Sequence, residues 1–211
     1  MKRNLFLIVT ALLLFAAKSY SQTENLFNGK DLSNWNFVVA DESVSPEDVY
    51  SVQDGVILIQ GNPFGYMYTK NKYSDYVLEL EWSWVDGESN SGIFLAIAET
   101  SNPFPNGIEC QLRAGSAGDF VMLGGSMLDE YVKPEGGGTT RFPVMQKREE
   151  SSEKPVGEWN NAKIEVKNGK ITVTINGVLQ NQGTNKVKEG YIGLQSEGGL
   201  IQFRNVKLTK M

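Results

Sequence analysis

Residues 76–84, Tyr-Val-Leu-Glu-Leu-Glu-Trp-Ser-Trp, decide the fold. In an extended chain Leu78, Leu80, Trp82 and Trp84 point one way and Val77, Glu79, Glu81 and Ser83 the other, because successive strand side chains alternate between faces. One apolar face and one wet face is the signature of an antiparallel sheet packed on one side. The pattern recurs at 108–113, where Ile108, Cys110 and Leu112 alternate with Glu109, Gln111 and Arg113. Working outward, strands are expected at 49–52, 56–60, 66–69, 92–98, 159–167, 171–175, 191–196 and 201–208. Asp54-Gly55, Asn168-Gly169 and Asn176-Gly177 punctuate them, and the last two, flanked by alternating apolar residues, predict hairpins. Beyond residue 22 no helical period outlasts two turns. Many short strands at this spacing imply a sandwich or a barrel. The 22 glycines and unequal strand lengths favour an all-β, two-sheet jelly-roll sandwich.

The N-terminus points to export. Lys2 and Arg3 precede an apolar run over 5–17, which ends in Ser19-Tyr20-Ser21. About 13 residues cannot span a bilayer, which needs about 20, so charge, apolar run and small-residue exit predict a signal peptide at 1–21 cleaved before Gln22. The expectation is one domain over 22–211, periplasmic or secreted, with no lipid anchor and no membrane association after cleavage. Cys110 is the only cysteine, so no internal disulfide forms. Without Lys2, Arg3 and Lys18 the 20 basic side chains fall to 17 against 25 acidic, a balance of −8. That field disfavours nucleic acid as a partner. The chain has no histidine, which removes His triads, imidazole bases and His-ligated zinc. Acid–base chemistry here must use carboxylate, Tyr or Lys groups; no cofactor and no metal centre is expected.

Residues 114–155 break the strand rhythm. They hold Gly115, Gly118, Gly124, Gly125 and Gly136-Gly137-Gly138, then Lys147-Arg148-Glu149-Glu150. No Gly-Lys-Ser/Thr follows, so this is not a phosphate loop. About 40 residues of weak period suggest a functional loop, expected to lie over one sheet face, border the site and order on ligand binding.

Several blocks, in order along the chain, resemble the 3-keto-disaccharide hydrolase family. They are 26–35 (Leu-Phe-Asn-Gly-Lys-Asp-Leu-Ser-Asn-Trp), Asp54-Gly55-Val56, Tyr73-Ser74-Asp75-Tyr76, Ser89-Asn90-Ser91-Gly92-Ile93-Phe94-Leu95, Gly107-Ile108-Glu109-Cys110-Gln111-Leu112, Gly157-Glu158-Trp159-Asn160, Ile192-Gly193-Leu194-Gln195 and Phe203-Arg204-Asn205-Val206. The resemblance implies a concanavalin-like sandwich whose concave sheet carries a carbohydrate site. It also implies glycoside substrates already oxidised to a ketone at C3, and hence a separate sugar 3-dehydrogenase acting upstream. Two positions depart from the pattern. Ala96 stands where members often carry Arg, and Ser196-Glu197 precede Gly198 where many carry Asp-His. Glu197 is the candidate to take over part of that His role.

A 3-keto group acidifies the C2 hydrogen, so the glycosidic bond can break by elimination followed by hydration. This route needs a base near C2, a cation or donor near the ketone, and an acid for the leaving oxygen. Glu109 is the first candidate base, with Gln111 beside it as a sugar ligand. Glu81 could pair with Glu109, and Glu197 is the third catalytic candidate. Asn90, Arg148, Lys154 and Tyr66 are candidate substrate ligands; Lys147, Arg148 or Lys154 could polarise the ketone. Trp35 and Tyr66 are candidates for sugar stacking, whereas Trp82 and Trp84 are expected in the core and Trp159 and Arg204 in structural roles. A carbohydrate-binding module and an ordinary two-carboxylate glycosidase are the alternatives.

Overall fold

The computed structural model describes residues 22–100, 102–136, 138 and 140–211; the expected signal segment lies outside them. In chain order its elements are β1 (Thr23–Asn25), β2 (Trp35–Val39), α1 (Pro46–Val49), β3 (Tyr50–Gln53), β4 (Val56–Ile59), β5 (Gly65–Thr69), β6 (Tyr76–Trp84), β7 (Gly92–Glu99), β8 (Asn106–Gln111), β9 (Phe120–Leu123), β10 (Val144–Met145), β11 (Asn160–Lys167), β12 (Lys170–Ile175), β13 (Val178–Thr184), β14 (Tyr191–Ser196) and β15 (Ile201–Lys210). One antiparallel sheet runs β13-β12-β11-β6-β15-β4-β3, with β1 added on β15, and the other runs β10-β9-β8-β7-β14-β5-β2. The two-sheet jelly-roll sandwich is the observed architecture.

The three turn dipeptides do what their chemistry requires. Asp54-Gly55, Asn168-Gly169 and Asn176-Gly177 all have positive φ at both positions, and each closes a two-residue hairpin. That geometry matches the twist of the flanking strands, and Asn, Asp and Gly reach it at least cost. The strands so placed bury their apolar phases between the sheets. Leu78, Leu80 and Trp82 of β6, Ile164 of β11 and Phe203 of β15 share one core with Ile93 and Leu95 of β7, Ile108 and Cys110 of β8 and Leu194 of β14. Cys110 is a buried free thiol. Trp82 and Trp84 lie in this core edge to face, 5.9 Å apart. Trp35 joins them there at 3% exposure, which corrects its reading as a sugar-stacking ring.

The segment over 114–155 is more than a loop. It supplies β9 and β10, which extend the second sheet, and then runs as a strap across the open side between β10 and β13. Buried Asn181 ties it down, its Nδ2 donating to the carbonyls of Gly118 (3.1 Å) and Met145 (3.0 Å). Arg148 N–H donates to the Gln180 carbonyl at 2.8 Å, and Asn176 Nδ2 to that of Ser152 at 2.7 Å. Gly115, Gly118, Gly124, Gly125 and Gly136 have positive φ and sit in turns. Among the segment's described residues, Val121, Leu123 and Phe142 lie in the apolar cluster on the outer face of the second sheet. No helix among the described residues is long and apolar enough to cross a membrane.

Candidate functional site

The outer face of the second sheet is where polar chemistry is buried. On β8 the phase opposite Ile108 and Cys110 carries Glu109, which pairs laterally with Phe94 of β7 and Val121 of β9. Tyr66, Phe94, Ile97, Val121 and Leu123 form a second apolar cluster on this face, with Tyr68 and Phe142 packed against it. Glu109 sits in that surface at 3% exposure. Its side chain lies across Gly92: a Cβ there would fall 2.7 Å from Glu109 Cγ and 2.8 Å from Cδ. A glycine at the start of β7 is thus the cradle for the carboxyl. Glu109 Oε1 has no hydrogen-bond partner among the described residues. Burial pushes its pKa well above the usual carboxylate value, and the nearby Glu197 charge pushes the same way.

Glu197 follows β14 and stands beside this group. Gln195 Nε2 donates to its carboxylate at 2.8 Å, and the Asn90 amide stands near it. Burial raises the Glu197 pKa, while these two amide contacts act against the rise. The loops that carry the pair are nested: Gly198 has φ +83°, and a Cβ on it would sit 2.5 Å from Ser89 Oγ and 3.0 Å from Asn90 N. Glycine after Glu197 is what lets the two turns close on each other. Four buried polar atoms on this side of the sheet have no hydrogen-bond partner among the described residues: Glu109 Oε1, Asn90 Oδ1, Gln195 Oε1 and Tyr66 Oη. Burial keeps the Tyr66 phenol protonated far above neutral pH, so it is a standing donor on the sheet floor. Buried polar groups in folded proteins are paired almost without exception. Four of them on the face that carries two neighbouring carboxyls are free to hydrogen-bond a ligand.

The fold thus brings together Glu109, Glu197, Asn90 and Tyr66, and it separates the other sequence candidates from them. Glu81 lies on the solvent phase of β6 in the opposite sheet, where Arg204 Nε donates to it at 2.5 Å and Asn205 Nδ2 at 2.9 Å. Burial alone would raise its pKa, but the Arg204 and Asn205 bonds carry it below the usual value. The expected Glu81–Glu109 pair is therefore not formed: both point away from the core, on opposite sheets. Arg204 also stacks on Trp159, 3.9 Å from its centroid, in keeping with structural roles for both. Lys154 Nζ donates to the Trp159 carbonyl, Lys147 Nζ to that of Gly115 and Arg148 to Gln182 Oε1. All three cations are spent on the strap, and burial and Glu197, not a cation, govern Glu109. Gln111 shares the face, but its Oε1 accepts from the backbone N–H of Leu112 and Arg113, so only its Nε2 remains for a ligand. Gln195 and Gly92 went unmarked as site residues in the sequence. The available signal for Gln195 was its polar phase on 191–196, two residues before Glu197.

Residues 22–209 match the profile of the 3-keto-alpha-glucoside-1,2-lyase-like domain. The chain belongs to that family. The 3-keto-glucoside lyase-like match places it among carbohydrate-active proteins, as the sequence blocks implied. No curated protein sequence matches it. Among solved structures, a protein of Parabacteroides distasonis assigned to the glycosyl hydrolases is similar at 23% identity and TM-score 0.64, over 90% of this chain and 100% of that one. Carbohydrate-binding module CBM66 of Bacillus subtilis is similar at 14% identity and TM-score 0.60, over 82% and 94%. The β-glucanase of Bacillus licheniformis is similar at 11% identity and TM-score 0.58, over 92% and 99%. At these identities the likeness is one of fold.

Proposed function

We propose that this protein cleaves 3-keto-glycosides by elimination across C1 and C2 followed by hydration, with Glu109 and Glu197 as its acid–base pair. The observation that carries the reading is buried Glu109 beside half-buried Glu197, set among unpartnered hydrogen-bonding atoms on one sheet face. The lyase-like family to which the chain belongs supports elimination as the route. Two neighbouring carboxyls whose surroundings push their pKa values apart divide into a proton donor and a proton acceptor. Glu109, deeper and with an unpartnered oxygen, holds the proton; Glu197, facing two amide donors, ionises first. This reverses the role the sequence suggested for Glu109. Glu197 removes the proton at C2, the C2–H electrons move into the C3 enolate, and Tyr66 Oη donates to that oxygen in place of a cation. Collapse of the enolate expels the C1 oxygen, which takes the Glu109 proton. Water then adds to the enone.

The same reading includes an exported, mature chain from Gln22 acting in the periplasm or medium, supplied by a separate sugar 3-dehydrogenase. Its test is the purified domain assayed on matched 3-keto and ordinary disaccharides in deuterated water. Cleavage of the 3-keto sugar alone, with deuterium entering C2, is the expected outcome. Equal cleavage of both would make the protein an ordinary glycosidase, and binding without cleavage would make it a binding module. Each of Glu109→Gln and Glu197→Gln should lower turnover roughly 10²-fold or more. Activity requires ionised Glu197 and protonated Glu109, so the profile of kcat/KM against pH is a bell. Glu197→Gln should erase its acid limb and Glu109→Gln its alkaline limb; the opposite assignment of limbs would exchange the two roles.

A further inference from the structure

The face that carries Glu109 is crossed by a chain of phenylalanine rings. Phe64 directly precedes β5 and shares the phase of Tyr66. Its ring centroid lies 5.8 Å from that of Phe104, in the loop between β7 and β8, and Phe104 lies 5.1 Å from Phe142, just before β10. In the sheet, β14, β7, β8 and β9 lie between β5 and β10, so the three rings bridge the strands that hold both carboxyls. Arg141 lies over two of them, 4.8 Å from the Phe142 centroid and 5.5 Å from that of Phe104. Below, Tyr66 and Phe94 are fully buried, which leaves them no open ring face. Phe64, by contrast, is 45% exposed. Between Phe104, Phe142 and Arg141 on one side and Gly124 and Gly125 on the other opens a cavity of about 370 Å³. Asn102 and Pro103 complete its lining among the described residues.

We propose that this cavity is a subsite for the leaving group, and that it selects a flat aromatic aglycone over a second sugar. The proposal rests on the glycoside-cleaving reading above. A hexose ring presents hydroxyls on most of its edge and needs many polar partners, as the floor around Glu109 supplies. This cavity offers few: Asn102 Oδ1 already accepts the Phe104 N–H at 2.9 Å, and Arg141 is the one charged group in its wall. An aromatic plate needs ring faces at 4.5–7 Å and gains from a cation above it.

The test uses unoxidised probes, which cannot undergo the elimination. Protein labelled with ¹³C in phenylalanine is titrated with phenyl glucoside, methyl glucoside of the same anomer, and phenol. Phenol and phenyl glucoside should shift the Phe64, Phe104 and Phe142 ring signals, and phenyl glucoside should bind roughly 10-fold more tightly than methyl glucoside. Phe104→Ala should abolish that preference, and Arg141→Ala, at an exposed position, should reduce it roughly threefold. Equal affinity for the two glucosides, or a preference that survives both substitutions, would overturn the subsite. Phenol binding at the three rings in a protein that cleaves no 3-keto-glycoside would uphold the subsite and refute the reaction. Cleavage with the rings unmoved by phenol would do the reverse.

Discussion

Glu109 is neutral in the folded protein over a pH range where the unfolded chain has already lost that proton. A carboxyl whose folded pKa is raised binds more protons in the native state, so stability falls as pH rises from the unfolded value through the folded one. Glu109→Gln keeps the size and removes the titration. The variant should match wild type near pH 4 and become the more stable of the two toward pH 8. The gap grows by about 1.4 kcal/mol for each pH unit over which Glu109 keeps its proton. Urea midpoints across that range check it, and a constant gap would remove the buried acid. Gly92 gives a second residue-scale outcome. Gly92→Ala places a methyl against the Glu109 side chain and should cost about 1–3 kcal/mol as well as most turnover. In the background of Glu109→Ala the same change should cost little, because its obstacle is gone; denaturation of the four proteins of the cycle measures this. That Glu109 leaves the core phase was legible in a polar residue on an alternating strand. That it is buried, and leans over a glycine of the next strand, was not.

The strap shows the limit of local pattern at the scale of elements. The hairpins at Asn168-Gly169 and Asn176-Gly177 were legible because two adjacent residues with positive φ suffice to specify them. The strand after the second, β13, is Val-Leu-Gln-Asn-Gln-Gly-Thr, whose polar residues gave no strand period. Gln180 and Asn181 are nevertheless buried, because the strap covers that edge and supplies the carbonyls their amides require. Likewise β10 has two residues and exists only by pairing with β9. Asn181→Ala removes donors from Gly118, Met145 and Gln146 and leaves carbonyls without partners. It should cost about 1–3 kcal/mol. Amide exchange should rise around 146–150 and stay unchanged in β6 and β11. Uniform exchange changes would show that the strap is not an independent cover.

At the scale of the molecule, the proposed mature N-terminus is tied into the sandwich. The Gln22 carbonyl accepts from Lys210 N–H at 3.0 Å, so cleavage before Gln22 would leave every described strand intact. Intact mass of exported material should correspond to 22–211 with no lipid, and Cys110 should resist thiol reagents in the native state. Burial holds its thiol well above the ordinary range. A mass that retains Met1, or rapid native labelling, would contradict this. The sequence by itself determined the strand phases, the hairpins, the sandwich and the exclusion of imidazole chemistry, since each follows from neighbours along the chain or from composition. Only the tertiary structure decided which carboxyls meet. Glu81 and Glu109 have the same alternating context, yet lie on opposite sheets. Glu197 reaches Glu109 because Gly198 lets its turn nest against Asn90 while Gly92 makes room for the carboxyl. Alternation assigns a residue to a face of its own strand; which strands share a sheet, and what covers that sheet, is set by long-range pairing and burial.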